Sequence, residues 1–319
     1  MNSKIAFLFP GQGSQYPKMG IEFFNQFVEI RNTFEEASKY FKMDIANICF
    51  NSEFDYLQKT NIAQPCILTI SIAIYNLIYN KFNIKPSILA GHSLGEYTAL
   101  FCGGVLSFKN VCKLVKIRSD LMSRAGDKEP GTMIAVLGLD RKKIERYCEE
   151  FSSGEDLVIA NYNSSEQFVI SGKLEKVKDF SSFIKNKGAK VLYLNVSGAF
   201  HSPLMGSALD ELITTIDETE FKDSNIPIVT NIDNTITLSG RKFKEKLKWQ
   251  LVSPVLWEDS IKNILSNGIN IFLEIGPSKV LTKLAKKIDK NVNAFSIEKP
   301  EDIETFIKFY EKFNLVNQL

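Results

Sequence analysis

Apolar and polar positions recur along this chain with two periods, and the switches between them set the expected architecture. Lys4-Ile-Ala-Phe-Leu-Phe9 is a short apolar run that breaks at Pro10-Gly-Gln-Gly-Ser-Gln15, the pattern of a strand and its turn. Residues 21–42 and 62–81 carry the helical period, Ser87-Ile-Leu-Ala90 reads as a second strand, and 94–105 and 109–125 read as helices. Short β-branched runs alternating with helices predict an α/β fold.

The pattern changes at the charged turn Asp127-Lys-Glu-Pro-Gly131. Beyond it the expected order is strand 132–139, helix 140–151, strand 157–161, strand 167–171, helix 173–187 and strand 189–194. That β-α-β-β-α-β order is the split-βαβ pattern of a ferredoxin-like unit. The expectation is a small ferredoxin-like (βαββαβ) subdomain at 128–197, inserted into a large α/β domain formed by 1–127 and 198–319. The large domain resumes with a helix at 203–217, a strand at 226–232, a basic helix near 241–251, a helix at 257–267, a strand at 269–276 and a helix at 278–288.

Composition narrows the possible functions. Of 319 residues, 39 are basic and 37 acidic, so the overall charge gives no reason to expect a nucleic-acid partner. The five cysteines are scattered without a C-x-x-C pair, which argues against a disulfide framework or a zinc site, and no metal is expected. The N-terminal apolar run reads as a first strand rather than a signal peptide. The longest apolar stretch, Cys66 to Ile78, falls short of the ~20 residues a bilayer span needs. A cytoplasmic monomer without membrane association is expected.

Candidate chemistry begins at Gly91-His-Ser-Leu-Gly95, a G-x-S-x-G match between a predicted strand and a predicted helix. That context is the nucleophile elbow, and it makes the large domain α/β-hydrolase-like in expectation. The elbow sets Ser93 at a helix N-terminus, where N–H groups favour developing negative charge. The competing reading is a serine N-cap in a glycine turn. A serine hydroxyl needs a base, and the chain has two histidines, His92 and His201. His92 adjoins Ser93 on a tight turn, where consecutive side chains diverge, so it is expected to pack against the sheet. His201, where the chain re-enters the large domain, is left as the base. No Asp or Glu stands out as a third member.

Five motifs in order, "FLFPGQGSQ", "QPCILT" (64–69), "GHSLGEY" (91–97), "GAFHSPLM" (198–205) and "LVSPVLW" (251–257), resemble the malonyl-CoA:acyl-carrier-protein transacylases of fatty acid synthesis and the discrete acyltransferases that serve polyketide synthases. The resemblance runs from about residue 4 to 290. It implies a Ser93–His201 dyad working by ping-pong transfer of a malonyl group from malonyl-CoA to the phosphopantetheine thiol of an acyl carrier protein, with no permanently bound cofactor. It also implies that the backbone carbonyl of Gln250 orients His201, and that the N–H groups of Gln12 and Leu94 form the oxyanion hole. Arg118 would hold the substrate carboxylate, which suits the planar fork of a guanidinium; for a lone arginine a solvated surface position is the default. It is expected on a helix face with Leu114, Ile117, Leu121 and Met122. Phe200, in the "AFH" form, is the expected specificity residue, filling space an α-methyl group would need, and it favours a trans-acting polyketide enzyme over a fatty acid one without excluding the latter.

The basic runs Arg241–Lys248 and Lys286–Lys290 are candidate contacts for an acidic carrier protein. The main alternative is an acyl-carrier-protein hydrolase on the same scaffold, in which water replaces the second thiol; Arg118 argues against it. A non-enzymatic docking module would have no use for the complete dyad. Nucleotide binding at Gly11-Gln-Gly13 lacks the further glycines or lysine it requires.

Overall fold

β1 (Ile5–Phe9) is apolar and buried at every position, as befits a strand covered on both faces. In the computed structural model, which describes residues 4–152 and 154–316, it lies in the middle of a six-stranded sheet. The other strands in chain order are β2 (Ile88–Gly91), β3 (Gly131–Leu137), β4 (Leu157–Ser164), β5 (Gln167–Lys173), β6 (Lys190–Tyr193), β7 (Ile228–Val229), β8 (Ile236–Thr237), β9 (Ile271–Ile275) and β10 (Asn293–Ile297). The large sheet has the order β10-β9-β1-β2-β7-β8, parallel except for β8. Strands β3 to β6 form a separate antiparallel sheet of order β4-β5-β3-β6, backed by the helices Arg141–Phe151 and Leu174–Lys185. The architecture is mixed α/β, as expected.

β1 and β2 are neighbours in parallel register, with Phe9 opposite Gly91. The turns that follow them therefore emerge side by side at the carboxyl edge of the sheet, where open α/β folds gather ligands. Gly95 shows how closely the elbow is pressed onto β1. A Cβ there would lie 2.0 Å from the Phe9 carbonyl oxygen.

The helix Thr60–Asn80 is apolar around nearly its whole circumference and packs under the sheet between helices Val28–Phe41 and Phe108–Lys128. At 21 residues it is longer than its apolar sequence run, and by length and hydropathy it could cross a membrane. Its most apolar window is 89% buried within the protein, so it serves as a core helix.

Among the contacts that tie the small sheet to the large domain are a backbone bridge and an ion pair. Val255 donates to the Ala160 carbonyl at 2.9 Å and accepts from the Tyr162 N–H at 3.0 Å, extending β4 across the boundary. Arg141 forks onto both Asp259 oxygens at 3.1 and 3.0 Å, with its guanidinium 4.4 Å from the Tyr162 ring centroid.

Several elements differ from their expected extent. The helix expected at 21–42 is broken by Phe27, which is extended, giving Ile21–Gln26 and Val28–Phe41. The helix expected at 203–217 begins as a 3₁₀ turn, Pro203–Ala208, before Leu209–Glu218. The strand at 226–232 shortens to β7, because Thr230 N–H turns back to the Thr235 carbonyl at 3.0 Å. β8, β10 and the final helix Pro300–Val316 had no counterpart in the pattern; the last packs Phe306 and Phe309 onto Phe295 of β10.

Gly95→Ala is expected to cost more than ~2 kcal/mol of stability, while Gly206→Ala, whose added Cβ meets nothing within 4 Å, stays within ~0.5 kcal/mol. Urea unfolding followed by circular dichroism compares the two, and equal losses would contradict the close approach.

Candidate active site

Ser93 precedes the helix Leu94–Cys102 with φ 52° and ψ −104°, a conformation that β-carbon sterics disfavour. Asn231, just after β7, holds it there. Its side-chain Oδ1 accepts the Ser93 N–H at 2.7 Å, and its Nδ2 donates to the Gly91 carbonyl at 2.7 Å. The Ser93 hydroxyl makes no capping bond to the helix. It meets His201 Nε2 instead, at 2.7 Å.

His201 is itself at positive φ, 55°, and is 4% exposed. Its Nδ1 donates to the carbonyls of Gln250 at 2.9 Å and Ser253 at 3.1 Å, which leaves Nε2 as the acceptor for the serine proton. Burial, then the charge of Arg118 and the neighbouring His92, push the imidazole down to about 3. The ring is therefore neutral, the form a general base needs.

Arg118 lies on the helix Phe108–Lys128 and is 1% exposed. Leu114, Leu121 and Met122 share its buried face; Ile117, expected among them, is only half-buried. The guanidinium donates to Gln64 Oε1 at 2.7 Å, to Gln250 Oε1 at 3.2 Å and to Ser93 Oγ at 3.0 Å. It sits over the Tyr97 ring at 5.3 Å. Its Nε has no hydrogen-bond partner, and none of its hydrogen bonds among the described residues goes to a carboxylate. A buried cation satisfied by neutral oxygens is costly, and an incoming anion would relieve it.

Ser93, His201 and Gln12 line a cleft of about 410 Å³ between the two sheets, together with Phe200, Gln64 and Met122. Gly11 is pressed against the elbow, so closely that a Cβ would come within 2.5 Å of the His92 oxygen. The N–H of Leu94 is at the first helical position, where no intrahelical acceptor exists. Gln12 presents its side chain to Thr60 and Gln64, at 3.1 and 3.3 Å. The Leu94 N–H is thus left open at the elbow, and the turn that carries Gly11 and Gln12 lies against it. Among the described residues no cluster of three metal-ligating side chains occurs.

His92 lies against Trp257 and joins the sheets through Nε2, 2.9 Å from Asn163 Oδ1 on β4. The sequence pattern gave no sign of Asn163 or Asn231, both polar positions in otherwise ordinary strand segments. Gln64 and Glu96 fell inside quoted motifs, yet nothing in the spacing assigned them a part. The Arg241–Lys248 run is less free than expected. Lys248 pairs with Asp217 and Glu245 at 2.8 and 3.1 Å, and Lys244 donates to the Asp217 and Thr219 carbonyls.

A nucleophile elbow, a buried histidine set on the serine, and a cleft between two sheets define a serine acyltransferase or hydrolase in class. The chain belongs to the acyl transferase domain family, whose model matches residues 6–301. It is 38% identical over 314 residues to the malonyl CoA-acyl carrier protein transacylase of Bacillus subtilis strain 168, covering 98% of this chain and 99% of that one. The transacylase of the same name from Escherichia coli K12 is 36% identical over 299 residues, covering 93% and 97%. Among solved structures, a malonyl-transacylase in complex with its type II PKS acyl-carrier protein superposes with a TM-score of 0.91 at 37% identity, covering 95% of this chain and 98% of that one. The Clostridium perfringens malonyl CoA-acyl carrier protein transacylase gives 0.93 at 34% identity, covering 99% and 100%.

The state of His201 has a stability consequence. Unfolded, the imidazole takes a proton below pH 6.5; folded, it stays neutral to about pH 3. The unfolded state thus binds more protons in that window, and stability drains away as pH falls through it, by up to ~1.4 kcal/mol per pH unit. His201→Asn is expected to lose less stability than the wild type between pH 7 and pH 4, measured by urea unfolding. Parallel losses would contradict a neutral buried imidazole.

Proposed function

We propose that this protein moves a malonyl group from malonyl-CoA, through an ester on Ser93, to the phosphopantetheine thiol of an acyl carrier protein. The observation that carries this reading is Arg118, a buried guanidinium with no carboxylate among its hydrogen-bond partners in the described residues and a hydrogen bond to Ser93 Oγ. It offers the free carboxylate of a malonyl group a planar fork beside the attacking oxygen. The names and near-full-length match of the relatives support the same donor and the same carrier-bound acceptor.

The steps run through the residues of the cleft. Ser93 Oγ gives its proton to His201 Nε2 and bonds to the thioester carbonyl carbon, while the N–H groups of Leu94 and Gln12 receive the oxyanion. The C–S bond breaks and His201 returns the proton to the departing coenzyme A sulfur. The carrier's thiol then gives its proton to His201 and attacks the ester, and Ser93 Oγ leaves with that proton. Gln250 and Ser253 carbonyls take the place of a triad carboxylate in orienting the imidazole. When the malonyl carboxylate neutralises Arg118, the largest charge opposing His201 protonation is cancelled, so substrate binding and base strength rise together.

We assign the large domain, 1–127 and 198–319, to the α/β-hydrolase-like class and 128–197 to the ferredoxin-like class. The 4-1-3-2 order of its antiparallel sheet supports the second assignment. The outer limits at residues 1 and 319 lie outside the described residues. Phe200, 5% exposed in the cleft wall, would exclude α-branched donors on steric grounds. For the carrier protein, Lys244 and Lys248 are engaged within the chain, and the helix Val280–Ile288 offers a second basic face. Val280, Leu281 and Leu284 line the cleft, while Lys279, Lys283 and Lys286 stand exposed without an ion pair among the described residues.

Intact-mass spectrometry after mixing with malonyl-CoA is expected to find a malonyl adduct on Ser93 that persists until carrier protein is added. Arg118→Ala is expected to slow this loading about 10- to 100-fold, the worth of a charge-assisted pair. Rapid loss of the adduct to water would favour the hydrolase, and unchanged loading in the variant would remove the carboxylate clamp. The double variant Lys279→Glu/Lys283→Glu is expected to raise the carrier-protein KM about fivefold while leaving Ser93 loading unchanged. An equal effect on both half-reactions would overturn that docking face.

A further inference from the structure

Glu96 takes no part in the steps above, although it sits one helical turn beyond Ser93 and is 3% exposed. It forms no ion pair among the described residues. Its Oε2 accepts from Gln250 Nε2 at 2.6 Å, and its Oε1 accepts the Asn231 N–H at 3.3 Å. The same Gln250 amide donates to the Ser93 carbonyl at 3.0 Å and accepts from Arg118 at 3.2 Å.

A glutamine amide has an oxygen that only accepts and a nitrogen that only donates, so a half-turn exchanges their places. In the observed orientation the nitrogen faces two acceptors and the oxygen faces a cation. After a half-turn the nitrogen would oppose the guanidinium, and the oxygen would face both the Ser93 carbonyl and the Glu96 carboxyl. The Ser93 carbonyl alone is one neutral acceptor; a carboxylate is the stronger partner, because charge-assisted bonds carry about twice the energy of neutral ones.

We infer that Glu96 is a positioning residue that locks the Gln250 amide with its oxygen toward Arg118, and thereby sets the guanidinium for the substrate carboxylate. The inference rests on reading Arg118 as the carboxylate clamp. Glu96 acts through Gln250 and touches no substrate. Its loss therefore weakens recognition of donors that carry a free carboxylate and spares those that do not.

The test is Ser93 loading from malonyl-CoA and from acetyl-CoA, followed by rapid-quench intact mass, in the wild type, Glu96→Gln, Gln250→Ala and the double variant. Glu96→Gln is expected to slow malonyl loading about tenfold and acetyl loading by less than about twofold. In the Gln250→Ala background the same substitution is expected to add less than about twofold for malonyl, since the amide it acts on is gone. Equal slowing of both donors by Glu96→Gln, or an undiminished effect without Gln250, would overturn the assignment. Thermal unfolding accompanies each variant; if Glu96→Gln fails to fold, Glu96→Asp, which keeps the charge but withdraws it from Gln250, carries the same comparison. Arg118→Ala separates the two readings. Unchanged malonyl loading there overturns the clamp and this inference with it, whereas a loss there beside a donor-blind Glu96→Gln overturns only the inference.

Discussion

A positive charge buried beside a hydroxyl is the constraint around which this site is arranged. Arg118 is removed from water and surrounded by side-chain oxygens of Gln64, Gln250 and Ser93, none of which carries a charge. The Tyr97 ring and, one residue removed, the Glu96 carboxyl are what the fold supplies against it. Burial raises the Glu96 carboxyl above the ordinary carboxylate range, and the Gln250 amide, the Asn231 N–H and Arg118 each act against that rise. The consequence reaches His201. Burial, and after it the nearby cation, keep the imidazole unprotonated, so its Nε2 faces the serine hydroxyl as an acceptor.

Holding these groups together strains the backbone. Ser93 and His201 both adopt positive φ, each at a cost on the order of 1–3 kcal/mol. The cost is met locally. Asn231 spans the elbow from Gly91 to Ser93, and two carbonyls converge on His201 Nδ1. Both props come from the stretch after the small sheet, 229–253, so the chain must complete its excursion before the serine and histidine are fixed. The parallel pairing of β1 with β2 does the rest by delivering the Gly11–Gly13 turn beside the elbow.

How much of this was legible in the sequence depends on how local the information is. The elbow is a five-residue pattern between a strand and a helix, and its glycines answer a steric demand that any sequence in that turn must meet. His201 was legible for another reason: with two histidines and one of them adjacent to Ser93, elimination left a single base. The oxygens around Arg118 were not legible from the pattern. Gln64 and Gln250 are 54 and 132 positions from Arg118 along the chain, and a glutamine in an apolar helix or before a turn has no period to betray it. The basic run at 241–248 is only partly free, for the converse reason: Lys246 and Lys248 are ion-paired, while Arg241 and Lys242 stay exposed. Its charges are plain in the sequence, but the acidic partners that occupy them, Asp217 and Asp233, lie on other segments.

Transfer between two thioesters, as proposed, calls for two sheets that stay fastened together. Donor and acceptor in the proposed reaction carry the same pantetheine arm, so a single cleft has to admit each in turn. That cleft is bounded by Gln12 and Ser93 from the large sheet's edge and by Asn161, Asn163 and Val169 from the small one. If the small sheet swung away, water would reach an ester that must outlast the exchange of partners. The Val255 bridge to β4, the Arg141–Asp259 fork and the His92–Asn163 bond all resist that motion, and the last begins on the residue next to Ser93. His92 thus belongs to the site as a strut: it ties the elbow to the opposite wall of the cleft, while in the proposed reaction the proton passes through His201.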